Sequence, residues 1–217
     1  MSHDIRIIAS IVLVLVTINS CSSQSKNHST ECIGLNNEGI KYLTNYPMNG
    51  EKGLDKAIDL FKQAVNCDST NVNFYNSLAN AYDKKHNYDA EMVAMNKMLL
   101  LTLNDPGILV QKGMLFEVMG HVDSAKEIYS RTDAEYQKRL AKRPNDINLI
   151  EGMILLKAIT DGKDEAIKVI NKQIETHPDL SSELSHELLF YQYFNRHDYV
   201  FRSSTGTDLN KAEKGEN

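Results

Sequence analysis

Small and large residues recur along the chain at a fixed distance, and their order predicts pairs of packed helices. Ala79 and Tyr82 are followed 34 residues later by Gly113 and Phe116. A repeat of this length is typical of stacked helical hairpins, because a single hairpin cannot bury its apolar face alone. The pattern therefore predicts an all-α chain whose hairpins pack against their neighbours.

The repeat resembles the tetratricopeptide repeat. In that family the first helix carries a small residue and a large one three positions later, and the second helix carries small residues around an aromatic one. Small residues let two helices approach to about 8–10 Å. The positions are filled by Gly39, Tyr42, Leu54, Ala57, Phe61 and Ala64, by Ala79, Tyr82, Tyr88, Met95 and Met98, by Gly113, Phe116, Gly120, Ala125 and Tyr129, and by Gly152, Leu155, Ala166 and Ile170. The sequence departs from the family at Glu91 and Met98, which hold usually small positions.

The resemblance implies an all-α fold, a right-handed superhelical solenoid of about four hairpins with a C-terminal capping helix. The helical domain is predicted over 32–195, and 196–217 is predicted to be disordered because its end is polar and charged. The parts of the domain are four repeats at about 32–70, 71–105, 106–144 and 145–178, and a capping helix at 179–195. An irregular helical bundle with accidental similarity is the alternative.

Three of the 4 prolines mark predicted repeat junctions. Asp105-Pro106-Gly107 places a capping residue before a proline at the first helical position. The segments 143–146 and 177–179 contain Pro144 and Pro178, and each is predicted to end one hairpin and open the next.

The first residues differ in kind from the rest of the chain. Ile7 to Ile18 is an apolar run of 12 residues, shorter than the roughly 20 that a membrane span needs, and its length suits a secretion signal. It is followed by Ser20 and Cys21, and the whole end resembles the bacterial lipobox. The resemblance implies a signal peptide at 1–20 and a lipid-modified Cys21. An ordinary cleaved signal with a chance cysteine, or an uncleaved short anchor, is the alternative.

Residues 21–31 are predicted to be a lipidated cysteine and a flexible tether, because they are polar and lack an apolar period. The formal net charge is −5, so the chain would be repelled by an anionic membrane surface rather than docked onto it. Ser22 is not the aspartate that retains some lipoproteins in the inner membrane. The expected location is therefore the bacterial envelope, at the outer membrane facing the periplasm.

The other two cysteines, Cys32 and Cys67, make an even pair in an oxidising compartment. In the resemblance, Cys32 opens the first helix of repeat one and Cys67 closes the second, and these ends are neighbours in an antiparallel hairpin. We therefore expect a disulfide between them. Two buried or free thiols are the alternative.

In tetratricopeptide proteins the first helices line the concave face, and the resemblance therefore implies a partner-binding groove in this chain. We call its residues the predicted groove. They are Asn36, Asn37, Asn73, Asn76, Ser77, Asn80, Val110, Gln111 and Met114. An asparagine amide offers one acceptor and two donors, which match a peptide backbone on both sides. Because asparagine is abundant throughout the chain, composition alone is the alternative explanation.

The segment Leu180 to Phe194 carries two sets of apolar residues. Leu180, Leu184, Leu188 and Tyr191 fall at helical spacing and suit a cap on the fourth hairpin. Leu189, Phe190, Tyr193 and Phe194 exceed one stripe. They are either buried by the cap or form an exposed patch for a partner or a second copy.

The sequence shows no phosphate-binding glycine loop, nucleophile elbow or paired histidines at metal spacing. We therefore expect no enzyme activity, no cofactor, no metal site and, for an acidic exported chain, no nucleic-acid binding. The expected function is a membrane-anchored scaffold that binds a protein or peptide partner. The alternatives are a structural subunit of an outer-membrane assembly or transport complex that docks through the array edge, and an envelope enzyme.

Overall fold

The computed structural model describes residues 29–205, and their side chains as far as residue 201. Within that range every regular element is helical and no strand occurs, which confirms the predicted all-α class. The helices are α1 (29–44), α2 (Tyr46–Cys67), α3 (Val72–Lys84), α4 (Tyr88–Leu101), α5 (Pro106–Val118), α6 (Val122–Leu140), α7 (Ile147–Thr160), α8 (Lys163–Thr176), α9 (Ser181–Gln192) and α10 (Arg196–Thr205), with a 3-10 turn at Pro178–Leu180.

The chain divides into two compact units, with the boundary after Ala81 inside α3. The signal peptide 1–20, Cys21, the tether as far as residue 28 and the end of the chain from residue 206 lie outside the described residues. Residues 29–31 had been assigned to the tether, but they belong to α1.

The first unit is held together by a close approach of α1 to α2. A Cβ atom added at Gly39 would lie 2.6 Å from Cε1 of Phe61, so the Phe61 ring rests directly on the glycine backbone. A disulfide joins Cys32 to Cys67, the pair expected from the sequence, with their Cα atoms 5.5 Å apart. Cys32 forms an apolar cluster with Ala64 and Phe74, so α1, α2 and the beginning of α3 share one core.

Helix α2 contains a break that the sequence did not reveal. Gly50 has φ 58° and ψ −159°, outside the helical region, and it separates a single turn from the main helix. A residue with a side chain rarely adopts this conformation, whereas glycine does so freely. Most of the segment Asn45 to Gly50 forms this added turn.

In the second unit each helix from α4 to α9 packs against the next one in the chain. Two further glycines lie beneath aromatic rings here. A Cβ atom at Gly113 would lie 2.7 Å from Cδ1 of Tyr129, and one at Gly152 would lie 2.8 Å from Cζ of Tyr136. The same contact therefore brings α5 onto α6 and α7 onto α6.

The junctions are built as the prolines predicted. Pro106 opens α5, and its N-cap Asp105 accepts hydrogen bonds from the amides of Gly107 and Ile108. Asp146 caps α7 in the same way by accepting from the amide of Leu149. These bonds satisfy amides that a helix N-terminus otherwise leaves without partners.

The loop before α5 is tied to α6 by one arginine. Leu103 and Asn104 have φ values of 52° and 59°, a conformation uncommon for residues with side chains. Arg139 Nη2 donates to the carbonyl oxygens of both, at 3.3 and 3.2 Å. Its Nε donates to Glu135 Oε1 at 2.8 Å, and this bond holds the guanidinium in place.

The end of the helical domain corrects the prediction. The capping helix is α9, preceded by the 3-10 turn, and Leu184 is fully buried in it. The chain was expected to be disordered from residue 196, but residues 196–205 form α10. Val200 of α10 is 0% exposed, because it packs into the core of the second unit. Such a contact with distant residues is not visible in the local composition.

We expect Gly113→Ala to lower the free energy of unfolding by about 1–3 kcal/mol, because the new methyl group would overpack the contact with Tyr129. Gly34→Ala is the matched control, since nothing lies within 4 Å of a Cβ there and alanine favours a helix. Urea denaturation would measure both. Equal stability changes in the two variants would contradict the proposed role of the aromatic–glycine contact.

Candidate partner-binding surface

One face of α3 carries exposed amides. Asn73, Asn76 and Asn80 are exposed, and Ser77 on the same face is half-buried. Their spacing of three and four residues aligns them along one side of the helix. The opposite side is buried and includes Phe74 and Leu78. The apolar side therefore fixes the rotation of α3 and leaves the amides open to a ligand. We call Asn73, Asn76, Ser77 and Asn80 the asparagine face.

The rest of the predicted groove divides into exposed and buried residues. Asn37 on α1 and Gln111 on α5 are exposed, so both are accessible to a partner. Asn36 is only 7% exposed, and Met114 and Val110 belong to the core of the second unit. These three residues cannot line an open groove, which corrects the prediction. In α5 the buried residues extend over more than one side of the helix. The position of a residue within the repeat therefore did not predict its exposure there.

The interior location of Asn36 carries a cost. Its Oδ1 is buried and accepts no hydrogen bond from the residues that the structure describes. Leaving a buried acceptor unsatisfied costs about 1–3 kcal/mol. This residue therefore belongs to the packing of α1 and not to the surface at which a peptide would bind.

Two buried carboxyl groups flank the turn between α3 and α4. Glu91 is 8% exposed, and neither its Oε2 nor Oδ1 of Asp83 has a hydrogen-bond partner among residues 29–201. Burial raises the pKa of Glu91 to about 8, and the nearby charge of Asp83 adds to the rise. Burial also raises the pKa of Asp83 to about 7, and Lys84 partly opposes it. At neutral pH the surroundings of this turn therefore favour the protonated form of Glu91 and, less strongly, of Asp83.

The sequence contained a partial signal for this feature. In the sequence, Glu91 stands out because it holds a usually small position of the repeat. The structure shows that this long acidic side chain lies inside the protein. Asp83 is eight residues earlier in the chain, and only the turn between α3 and α4 brings it within electrostatic range.

A cavity of about 390 Å³ lies among α5, α6, α7 and the start of α10. Its floor includes Tyr129, whose phenol has a raised pKa, first because it is buried and second because Glu117 is beside it. Its charged lining residues are Glu117, Lys126, Asp133, Lys157, Asp161 and Arg196. Acidic and basic groups are equal in number among these residues. The cavity therefore suits a polar side chain of either charge and does not favour an anion.

The charges around the cavity are already arranged in pairs. Lys157 Nζ lies 3.3 Å from Asp133 Oδ1 and 3.4 Å from Asp161 Oδ2, which joins α7 to α6. Arg196 Nη2 lies 2.7 Å from Glu117 Oε1, which joins α10 to α5. These pairs shape the rim of the cavity and supply donors and acceptors to anything that enters it. Sequence reasoning missed this cavity, because its residues come from four helices.

Helix α9 is both a cap and an exposed surface. Leu184 and Tyr191 are almost fully buried, as the capping interpretation requires. Phe194 is only 8% exposed and belongs to the core, whereas Leu189, Phe190 and Tyr193 are 63%, 48% and 82% exposed, as the patch interpretation requires. The two alternatives therefore apply to different sides of the same helix. We call these three residues the aromatic patch.

Two kinds of feature are absent from the described residues. In residues 29–201 no group of three or more His, Cys, Asp or Glu side chains is placed to hold a metal ion. None of the described helices combines the length and apolar character needed to cross a membrane.

Comparison with known proteins agrees with the resemblance seen in the sequence. The tetratricopeptide repeat model matches residues 60–92, from the second half of α2 through α3 into α4. Among solved structures, the chain is similar to MamA at 22% identity, over 70% of this chain and 81% of that one, with a TM-score of 0.43. It is similar to YrrB, described as a TPR protein with an unusual peptide-binding site, at 17% identity over 81% and 88%, with a TM-score of 0.36. No curated protein matches.

We expect Glu91→Gln to stabilise the protein more at pH 8.5 than at pH 5. The folded-state pKa of about 8 exceeds the ordinary value of 4.5, so the contribution of Glu91 to stability is fully present below pH 4.5 and is lost as pH rises towards 8. Glutamine carries no charge, so the Glu91→Gln variant does not lose stability in this way as pH rises. The Tm difference between the variant and wild type should be several degrees larger at pH 8.5 than at pH 5. This corresponds to about 1 kcal/mol or more in the free energy of unfolding.

Thermal unfolding of both proteins across this pH range would measure the difference. Glu127→Gln, a change at an exposed residue of α6, is the control. A Tm difference between wild type and Glu91→Gln that does not vary with pH would show that the Glu91 carboxyl does not titrate as described.

Proposed function

We propose that this protein is a scaffold that binds a protein or peptide partner through the exposed side of its first helices. The observation that carries the proposal is the asparagine face of α3, which is exposed while the other side of the helix is buried. Residues 60–92, which contain this helix, match the tetratricopeptide repeat, and helical-repeat proteins commonly use such surfaces for binding.

The asparagine face suits an extended peptide backbone. Each amide can accept one peptide N–H and donate to one peptide carbonyl, so a row of three can follow a strand without reading its side chains. Ser77, between Asn76 and Asn80, adds a short hydroxyl that leaves room for the peptide. The expected ligand is therefore a segment chosen by its extended shape and accessible backbone, with little sequence preference.

We further propose that the scaffold is anchored in the bacterial envelope through a lipid on Cys21, at the outer membrane facing the periplasm. The support is the apolar run ending at Ile18 and the small residue before the cysteine. Three acyl chains would give firm attachment, since each buried methylene contributes about 0.8 kcal/mol and one chain alone is marginal. The tether would then keep the helical units close to the membrane surface.

The second candidate function is a structural subunit of an outer-membrane assembly or transport complex. The aromatic patch of α9 favours it, because three large exposed side chains on one helix are suited to a protein contact. Such a subunit would dock without using the asparagine face, and substitutions on α3 therefore separate the two candidates.

We expect the double change Asn76→Ala and Asn80→Ala to weaken peptide binding by roughly 30-fold, since two or more hydrogen bonds at about 1 kcal/mol each would be lost. A peptide selected on the wild-type protein from a random 12-residue phage library is the probe, titrated by calorimetry. Gln63→Ala with Asn66→Ala, on exposed positions of α2, is the matched control.

Both double variants should melt within a degree or two of wild type, because exposed polar substitutions change stability little. If no library peptide is selected, or if the selected peptide binds the α3 variant as tightly as the control, binding by the asparagine face is wrong. Retention of an envelope partner by the α3 variant, with loss on Tyr193→Ala, would favour the structural subunit.

We expect Cys21→Ser to abolish lipid attachment in a Gram-negative host. The wild-type protein should partition into detergent, begin at Cys21 and carry the added mass of acyl chains, whereas the variant should keep its first residues and lack that mass. Intact-mass spectrometry would measure both. Cys32→Ser, which leaves the proposed lipid site unchanged, is the control. A wild-type protein that lacks the acyl mass would contradict the anchor.

A further inference from the structure

We infer that α10 is an internal ligand, and that the surface beneath it on α5 and α7 takes an amphipathic helix of a partner protein. The inference rests on the proposed function, because α5 and α7 are the first helices of the predicted third and fourth repeats. It adds the kind of partner and the segment of this chain that competes with it.

The position of α10 is the first step. It packs back onto α5, and less extensively onto α7, although α8 and α9 lie between it and α7 in the chain. The Tyr199 ring of α10 also lies 6.4 Å from the Phe190 ring of α9, measured between centroids. The main contact of α10 is nevertheless with α5, so it covers a side of the first helices of its own unit, and the proposed function assigns first helices to a partner.

The contacts of Arg196 are the second step. Its Nη2 donates to both oxygens of Glu117, at 2.7 and 2.8 Å, and Glu117 is the more buried member of the pair. Its Nε donates to the carbonyl oxygen of Ile159 at 2.5 Å. That carbonyl belongs to the last turn of α7, where oxygens lack intrahelical partners and a cation is favoured. The surface therefore recognises one cation at the start of a helix.

The apolar contact is the third step. Val200 is four residues after Arg196 on the same side of α10, and it is fully buried in the core of the second unit. Tyr199 and Phe201 pack against that core without being fully buried. The complementary ligand is consequently a helix with an arginine in its first turn and a branched apolar residue four positions later.

The weakness of α10 on its own is the fourth step. A helix of 10 residues is marginal in water, so its helical state depends on the surface beneath it. Asn195 supports its start by accepting from the amide of Asp198 at 3.1 Å, but Arg196 remains 43% exposed. A short helix whose charged anchor is half-exposed can open locally without unfolding the rest of a protein. Such a segment can give way to a competitor.

The neighbouring cavity gives a partner an advantage that α10 lacks. The cavity of about 390 Å³ opens beside Arg196 and extends to Lys126, Asp133 and Lys157. Among the α10 side chains that the structure describes, 196–201, only Arg196 reaches its rim. A partner helix that carries one further polar side chain can enter this space and make hydrogen bonds that the internal helix does not make.

The test uses the full chain in detergent and a fluorescein-labelled synthetic peptide of residues 195–205, followed by fluorescence anisotropy. Wild type should bind the peptide weakly, because α10 occupies the surface. Arg196→Gln should bind it at least tenfold more tightly, because its own helix is a poorer competitor while Glu117 remains free to pair with the arginine of the peptide. Lys168→Gln, which removes an exposed ion pair on α8, should behave as wild type.

Two further measurements make the result specific. A peptide in which this arginine is replaced by glutamine should bind the Arg196→Gln protein at least tenfold more weakly than the native peptide. In wild type, hydrogen exchange of α10 amides should be at least tenfold faster than that of α6 amides, as local opening requires.

Several outcomes would overturn the inference. They are equal peptide affinity in wild type and Arg196→Gln, α10 amides as protected as those of α6, or an Arg196→Gln protein that no longer unfolds cooperatively, which would show that α10 cannot open without unfolding the second unit. These readouts concern the second unit alone. The peptide measurements on Asn76 and Asn80 concern the first unit, so the proposed function can stand where this inference fails.

Discussion

The fold depends on one contact that is used three times, an aromatic ring placed directly on the backbone of a neighbouring helix. Phe61 covers Gly39 and Tyr129 covers Gly113, in each case between the two helices of one hairpin. Tyr136 covers Gly152 between one hairpin and the next. A ring can lie this close only where the opposing residue has no Cβ atom, and dense packing then fixes the spacing of the helices. Small and aromatic residues recur in the sequence because this contact is repeated in the structure.

This recurring pattern of small and aromatic residues explains which parts of the structure the sequence could predict. The helices and their junctions follow from local signals, as at Asp105 and Pro106, where a cap and a proline define the start of α5. The pairing of Cys32 with Cys67 followed from the antiparallel course of one hairpin. Exposure was harder to predict, because Asn36 and Asn37 are neighbours in the chain and yet one is buried and the other exposed.

The features that the sequence could not reveal join residues far apart in the chain. Arg196 and Glu117 are separated by 79 residues, and nothing in the composition of either segment indicates that they meet. The polar character of the region around Arg196 favoured disorder, but one buried valine and one paired arginine are enough to order the start of a short helix when a matching surface exists. The raised pKa of Glu91 likewise depends in part on Asp83 across a turn, and only the departure of Glu91 from a small residue was visible in the sequence.

The two units combine these principles differently, and the difference bears on what each can bind. In the first unit a disulfide and a glycine–aromatic contact fix α1 to α2, so the asparagine face of α3 belongs to a unit with little freedom to adapt. A fixed row of amides suits a ligand that supplies its own shape, such as an extended backbone. In the second unit the first helices are covered by a short helix that has one charged anchor and one buried apolar residue. A surface that already accommodates a helix favours a second helix of the same pattern.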